Sequence, residues 1–188
     1  NMPAVVESYM KMINEKIGTN YGLFNYYGAP DATHVIVAMG SVCSTIEETI
    51  DYLNAAGAKV GVVEVHLYRP FSKEHLLKVI PASVQQISVL DRTKEPGAMG
   101  EPLYLDVVAA LRDTQFHNVP IFSGRYGLSS KDTTPGQIKA VFDNTEKKVF
   151  TIGIIDDVTH LSLETADIDT SGACTVSCKF WGLGSDGT

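Results

Sequence analysis

Short β-branched runs alternate with amphipathic helical stretches along most of this chain, a pattern that predicts an α/β fold. Residues 35–40 (VIVAMG) form a continuous apolar run ending in glycine. Ser44 and Thr45 follow, ahead of Glu47 and Glu48, which is the order of a polar cap before a helical turn, and the helix is expected to run to about Ala56. Gly57 closes that helix, and residues 59–65 supply a second buried run. Arg69-Pro70-Phe71 then breaks the chain, and Ser72 is placed to cap a helix over 73–80. The repeat of about 30 residues is that of a βαβ unit. Residues 87–90 predict a third strand and 102–112 a helix, with Leu103, Val107, Val108 and Leu111 at helical spacing. A fourth strand over 119–122, a helix from Thr134-Pro135 to near Asn144 and a fifth strand within 149–155 complete the series. Runs this apolar belong in a parallel sheet covered on both faces, so the expected architecture is a three-layer, mainly parallel, Rossmann-like sheet.

Two pieces flank this core. Residues 3–17 carry Val6, Met10, Ile13 and Ile17 on one helical stripe, which suits a helix packed on a neighbour. The stretch after Asp156 is rich in Ser, Thr and Asp, has no periodic apolar helix, and reads as a linker entering a second domain. The expected division is therefore 1–24 (helix and connection), 25–160 (α/β domain) and 161–188 (linker and the start of a further domain). The last residues, Gly182-Leu183-Gly184-Ser185-Asp186-Gly187-Thr188, have the spacing of an anion-binding glycine loop with no helix after them, so the chain is expected to be part of a longer polypeptide. An ordinary turn is the competing reading of the same glycines.

With 188 residues, 44% apolar content and a formal charge of −7, the chain has the composition of a soluble globular fold. The acidic balance and the lack of a Lys/Arg stripe argue against nucleic acid or a membrane surface as partners. Three cysteines, Cys43, Cys174 and Cys178, are too few for a disulfide scaffold and suit a reducing compartment, with the cytoplasm expected. Cys174 and Cys178 lack the spacing of a zinc or cluster motif, and plain, half-buried strand thiols are favoured over a metal site.

Chemistry within the α/β core is sparse. The loop Gly40-Ser41-Val42-Cys43 lies where such folds bind ligands, but it lacks the lysine and second glycine of a phosphate loop, and a structural turn is favoured. Cys43 is either a thiol activated by the helix terminus or a buried one; no histidine is near it in sequence, which favours burial. His34, His66, His75, His117 and His160 are scattered singly, and none is assigned as base or ligand. The polar loops 91–102 and 123–135 each follow a predicted strand. Their Arg92 and Arg125 either pair with a carboxylate or phosphate of a ligand or are each tied into their own loop by carboxylates such as Glu95, Glu101 or Asp132, with structural pairing or domain docking favoured.

The stretches DRTKEPGAMGEPLYLDV (from Asp91), GRYGLSSKDTTPGQIKAVFDN (from Gly124), FTIGIIDDVTHLSL (from Phe150) and KFWGLGSDGT (from Lys179) closely resemble single-chain pyruvate:ferredoxin (flavodoxin) oxidoreductases. HLYRPF, from His66, resembles the strand end of a transketolase-type domain. The resemblance covers most of the chain and implies the middle of that long polypeptide: a transketolase C-terminal-like second domain, then the first residues of a gamma-type third domain. It implies a parent reaction in which pyruvate, coenzyme A and oxidised ferredoxin give acetyl-CoA, CO2 and reduced ferredoxin. Thiamine diphosphate with Mg2+ and 4Fe–4S clusters would be the parent's cofactors, ferredoxin or flavodoxin its partners, and a homodimer its assembly, in the cytoplasm or an anaerobic organelle. No catalytic or metal-ligating residue carries over, and this stretch alone is expected to be inactive. The positions that do carry over are Gly184, Ser185, Asp186, Gly187 and Thr188, as contributors to the coenzyme A site. A parent that passes electrons to NADP, and a free-standing α/β interaction module, are the alternatives.

Overall fold

The computed structural model describes residues 2–155, 158–172 and 174–184. Among these, five α-helices and six strands form a three-layer α/β domain. Its elements are α1 (Met2–Ile17), β1 (Phe24–Gly28), β2 (His34–Ala38), α2 (Val42–Ala55), β3 (Val60–Val65) and α3 (Lys73–Val79), followed by β4 (Gln86–Asp91), α4 (Pro102–Leu111), β5 (Ile121–Arg125), α5 (Pro135–Asp143) and β6 (Val149–Thr151). The sheet order is β1-β3-β2-β4-β5-β6; β2 through β6 run parallel, and β1 pairs antiparallel with β3.

Strand alternation divides the core into two halves. Val35 and Val37 of β2, with Val63, Val65, Ile87 and Val89, point to one face and are covered by α3 and α4 through Leu76, Leu103, Val107 and Leu111. Ile36 and Ala38 of the same strand, with Val60, Val62, Leu90, Phe122 and Phe150, point to the other, where α2 and α5 contribute Ile46, Ile50, Ile138 and Val141. Every residue of β2 is buried, which is why its sequence after His34 is a continuous apolar run rather than an alternating one. Gly124 of β5 is needed for close packing: a Cβ there would run into the Phe150 ring and Leu90.

The five predicted strands are present, each within a few residues of the expected place, and β1 is an addition. Its sequence, FNYYG, mixes aromatic and polar residues and becomes a strand by pairing residue for residue with β3, from Phe24 opposite Val65 to Gly28 opposite Gly61. The start of α2 also differs from expectation. Gly40 takes φ +79°, so the chain turns as it leaves β2 and the helix begins at Val42 behind Ser41, ahead of the expected caps Ser44 and Thr45. At the other end Gly57 takes φ +91° and the Ala58 amide donates back to Leu53 O at 3.0 Å, closing the helix as predicted. The side chain of Asn54 then exchanges two 3.1 Å hydrogen bonds with the main chain of Val60, setting the start of β3.

Ser72 flanks α3 as expected, but its hydroxyl bonds His75 Nδ1 at 2.6 Å instead of capping a main-chain amide. α5 carries the full reciprocal cap, Thr134 accepting from the Gln137 amide and the Gln137 side chain accepting from the Thr134 amide. After β6 the chain folds back on the sheet edge, where the Thr151 amide donates to Leu161 O and the Leu163 amide to Thr151 O, both at 3.0 Å. Ala166 passes so close to the start of α5 that only glycine fits at Gly136.

Cys174 and Cys178 differ from expectation: both are exposed and neither lies in a strand, since the chain around them pairs with no strand of the sheet among the described residues.

Candidate functional site

The chain order places the functional edge of this fold. After β2 the next strand, β3, is laid on one side, and β4 is laid on the other, so the loops leaving the carboxyl ends of β2 and β4 diverge and open a crevice between them. The crevice holds a cavity of about 300 Å³, lined by Ser41, Val42 and Thr45 from the start of α2, Arg92 from the β4 loop, and Tyr126, Gly127 and residues 131–133 beyond β5. Sequence reasoning placed the Gly40–Cys43 turn at this position, and the structure brings Arg92 to it.

The groups around the crevice are mostly engaged with one another. Tyr126 donates its hydroxyl to Met39 O at 3.3 Å, which ties the end of β5 to the end of β2. Arg92 donates Nε to Gly127 O at 3.4 Å. The expectation that a carboxylate holds Arg92 is therefore corrected: a main-chain carbonyl does so, because Gly127, at φ +61°, turns its backbone to where the guanidinium stem lies. Arg125 follows the expectation of a carboxylate partner, but that partner, Glu101, comes from the other polar loop rather than its own. Its Nε meets Glu101 Oε1 at 2.5 Å, the Glu101 side chain is 1% exposed, and Glu101 Oε2 also accepts the Glu95 amide at 2.8 Å.

Asp91, the last residue of β4, has a role that sequence reasoning missed. Its two carboxylate oxygens accept the amides of Leu103 and Tyr104 at 2.9 and 3.1 Å, filling the amino terminus of α4. The capping residue lies 12 positions before the first amide it serves, beyond any local capping pattern, so sequence spacing carried no signal for it. Burial pushes the Asp91 carboxyl up, and the two amide bonds oppose that rise. The helix that starts nearest the crevice, α2, has no side-chain cap from Ser41.

Cys43 is no nucleophile in this setting. The thiol is buried and pushed up to about 12, first by desolvation and then by the carboxylates of Glu64 and Glu47, so the thiolate is suppressed at neutral pH. His34 is buried at the opposite, amino-terminal edge of the sheet. Its Nδ1 lies 3.0 Å from Phe142 O and its Nε2 2.9 Å from Ser88 Oγ. A carbonyl only accepts, so Nδ1 carries the proton and Nε2 accepts from the serine, and burial pushes the ring down to about 4. Among the described residues, no group of three or more His, Cys, Asp and Glu side chains is arranged to hold a metal ion. None of their helices is long and apolar enough to cross a membrane.

Of the five positions expected to face coenzyme A, Gly184 is described: it is exposed, with φ +115° and open space where a Cβ would stand. Ser185, Asp186, Gly187 and Thr188 lie outside the described residues.

A family model described as pyruvate:ferredoxin oxidoreductase core domain II matches residues 32–154, from the turn before β2 to the chain just past β6. The chain belongs to this family. It is similar along its whole length to the pyruvate-flavodoxin oxidoreductase of Enterobacter agglomerans, with 58% identity over 100% of this chain and 16% of that protein. The pyruvate:ferredoxin oxidoreductase of Moorella thermoacetica is 56% identical over 99% of this chain and 16% of its own length. Among solved structures, a 2-oxoglutarate:ferredoxin oxidoreductase from Magnetococcus marinus, with 2-oxoglutarate, coenzyme A and succinyl-CoA bound, is similar over 72% of this chain and 23% of that one, at 15% identity and a TM-score of 0.43. This core domain II chain thus spans about one sixth of the length of the two relatives named by sequence.

Proposed function

We propose that this chain is an architectural part of a thiamine diphosphate and iron–sulfur dependent pyruvate:ferredoxin oxidoreductase, and that it performs no chemical step itself. The parent reaction converts pyruvate, coenzyme A and oxidised ferredoxin into acetyl-CoA, CO2 and reduced ferredoxin, with flavodoxin as the other acceptor and the cytoplasm as its place. The observation that carries the architectural reading is the internal engagement of the functional edge. Asp91 fills the start of α4, Glu101 holds Arg125, and Arg92 and Tyr126 brace neighbouring loops. Groups spent on bracing one another are poorly suited to follow charge that develops on a substrate.

The three cysteines fall short of the four thiolates of an ordinary 4Fe–4S cluster, so the cluster ligands belong to other parts of the parent. The resemblance to the family assigns thiamine diphosphate and its Mg2+ to the first and last domains of the parent. We assign 1–24 to a connecting helix, 25–160 to the α/β domain and 161–188 to a linker that opens the next domain. We propose that the glycines and hydroxyl residues of Gly184, Ser185, Asp186, Gly187 and Thr188 offer main-chain N–H groups and hydroxyls to the phosphates of coenzyme A. The parent works as a homodimer in this reading.

Steady-state kinetics of the intact parent enzyme test both statements. Cys43→Ser and Arg92→Ala are expected to leave kcat for pyruvate within about twofold, whereas Thr188→Ala is expected to raise KM for coenzyme A several-fold with kcat little changed. A fall of more than about a hundredfold in kcat for either core variant, in a protein of unchanged Tm, overturns the architectural reading. An unchanged KM in Thr188→Ala and Ser185→Ala overturns the loop assignment.

A further inference from the structure

α1 is a 16-residue helix with no buried residue. Its apolar side chains nevertheless form a single wide face. At 100° per residue, Met12, Val5, Tyr9, Met2, Ile13 and Ile17 fall within an arc of about 140°, with Lys16 the one charged side chain among them. The charged residues Glu7, Lys11 and Glu15 lie on the opposite side, so the helix is amphipathic in the ordinary way. The α/β domain covers only one margin of the apolar face, through the half-buried Val6 and Met10. The predicted stripe is split: Val6 and Met10 pack on the core, whereas Ile13 and Ile17 are exposed, with Tyr9 60% and Ile17 66% accessible.

The uncovered face is held in a set direction. Asn14 accepts the Tyr21 amide and donates to Tyr21 O, at 2.8 and 2.9 Å, and it accepts from the Thr19 hydroxyl at 2.8 Å, fastening the last turn of α1 to the connection into β1. Glu7 lies 3.7 Å from His75 at the start of α3. An isolated helix of this length is marginal in water and depends on burying its apolar face.

We infer that the outer face of α1 is a docking surface for another region of the same parent polypeptide. The inference rests on the reading above that the chain is one part of a long oxidoreductase. Two observations favour that occupant over a second copy of this chain. The six exposed side chains leave about 600 Å² uncovered, at the upper end of what monomers expose, yet below the roughly 800 Å² per partner of a stable interface between separate chains. A surface on the same polypeptide needs less area, because the tether supplies a high effective concentration. In addition, α1 lies outside residues 32–154 matched by the domain family, while the whole chain, α1 included, aligns to relatives of which it is only 16%. The expected occupant is therefore a complementary apolar surface elsewhere in those longer chains.

Hydrogen exchange resolved to α1 and β4 tests this in the native polypeptide and in the 188-residue chain. The α1 amides are expected to exchange at least tenfold more slowly in the native polypeptide, and Tyr9→Asp is expected to abolish that difference, with β4 protection serving as the check on folding. Equal α1 exchange in the two proteins, with β4 protected in both, overturns the docking surface and leaves the parent reading intact. Slow α1 exchange in the 188-residue chain that appears only as its concentration rises, together with dimers in sedimentation, assigns the face to a second copy and overturns the inference. A native product no longer than this chain, seen by its mass, overturns the parent reading itself.

Discussion

Protonating His34 should destabilise this domain from the inside, and the structure sets the size of the effect. The ring is 8% exposed, edge-on to Phe142 at 5.3 Å, and its neutral form satisfies both nitrogens through Phe142 O and Ser88 Oγ. A second proton, at Nε2, would confront the Gln86 amide nitrogen at 3.3 Å and would bring a charge into the core. The ordinary imidazole value of 6.5 is pushed down to about 4 in the folded chain, chiefly by desolvation, with the Phe142 carbonyl and Asp143 opposing. Because the folded value is depressed, the stability that neutral His34 allows is fully present above the unfolded value and is lost as pH falls toward the folded one. A tenfold change in proton affinity is worth about 1.4 kcal/mol, so the loss is about 2 kcal/mol by pH 5 and about 3 kcal/mol in full. The measurement is urea unfolding of wild type and His34→Gln at pH 7.5 and pH 5. The wild-type midpoint is expected to fall by about 1 M more than that of the variant, for a urea dependence of about 2 kcal/mol per M. His34→Gln starts lower at pH 7.5 but lacks this titration, and every other group is common to both proteins. Midpoints that fall in parallel would show that His34 is not held neutral by burial, and the reasoning from desolvation would fail.

Thiol labelling at pH 8 should give two classes. Cys174 and Cys178 react within minutes, while Cys43, buried and pushed up to about 12, reacts only after unfolding; three fast thiols would contradict the placement of Cys43 on the buried face of α2. Arg125→Ala strands the Glu101 carboxylate at 1% exposure and should cost about 3 to 5 kcal/mol in urea unfolding, with Arg125→Ala/Glu101→Gln recovering a large part of it. A double variant as unstable as the single one would show that the loss comes from packing of the Arg125 stem rather than from the unpaired charge.

The sheet itself was legible because a parallel strand buried on both faces is apolar along most of its length, as Val35 to Ala38 of β2, Val60 to Val63 of β3 and Ile87, Val89 and Leu90 of β4 are. α5 was legible because Thr134, Pro135 and Gln137 place a complete cap in local sequence. The glycine-to-helix turn after β2 was legible in position but not in detail, since the φ of Gly40 decides where the helix begins. A carboxylate partner for Arg125 was expected within its own loop, but Glu101 lies 24 residues away in the other loop and meets it because of where α4 docks.

Sequence alone therefore determined the elements whose stability comes from their own residues: the buried apolar runs, the locally capped helix α5 and the turns that only glycine makes easily. The tertiary structure decided whatever depends on a second element arriving from a distance. β1 is a strand because β3 is its neighbour, and Asp91 is a cap because α4 begins beside the end of β4. His34 is held neutral because the packed sheet and α5 bury its ring, and α1 keeps an apolar face uncovered because the domain spans only part of its width. Local spacing encodes interactions that close within a turn or two, whereas burial and electrostatics are set by which surfaces meet, and that information resides in the packed sheet rather than in any one window of the chain.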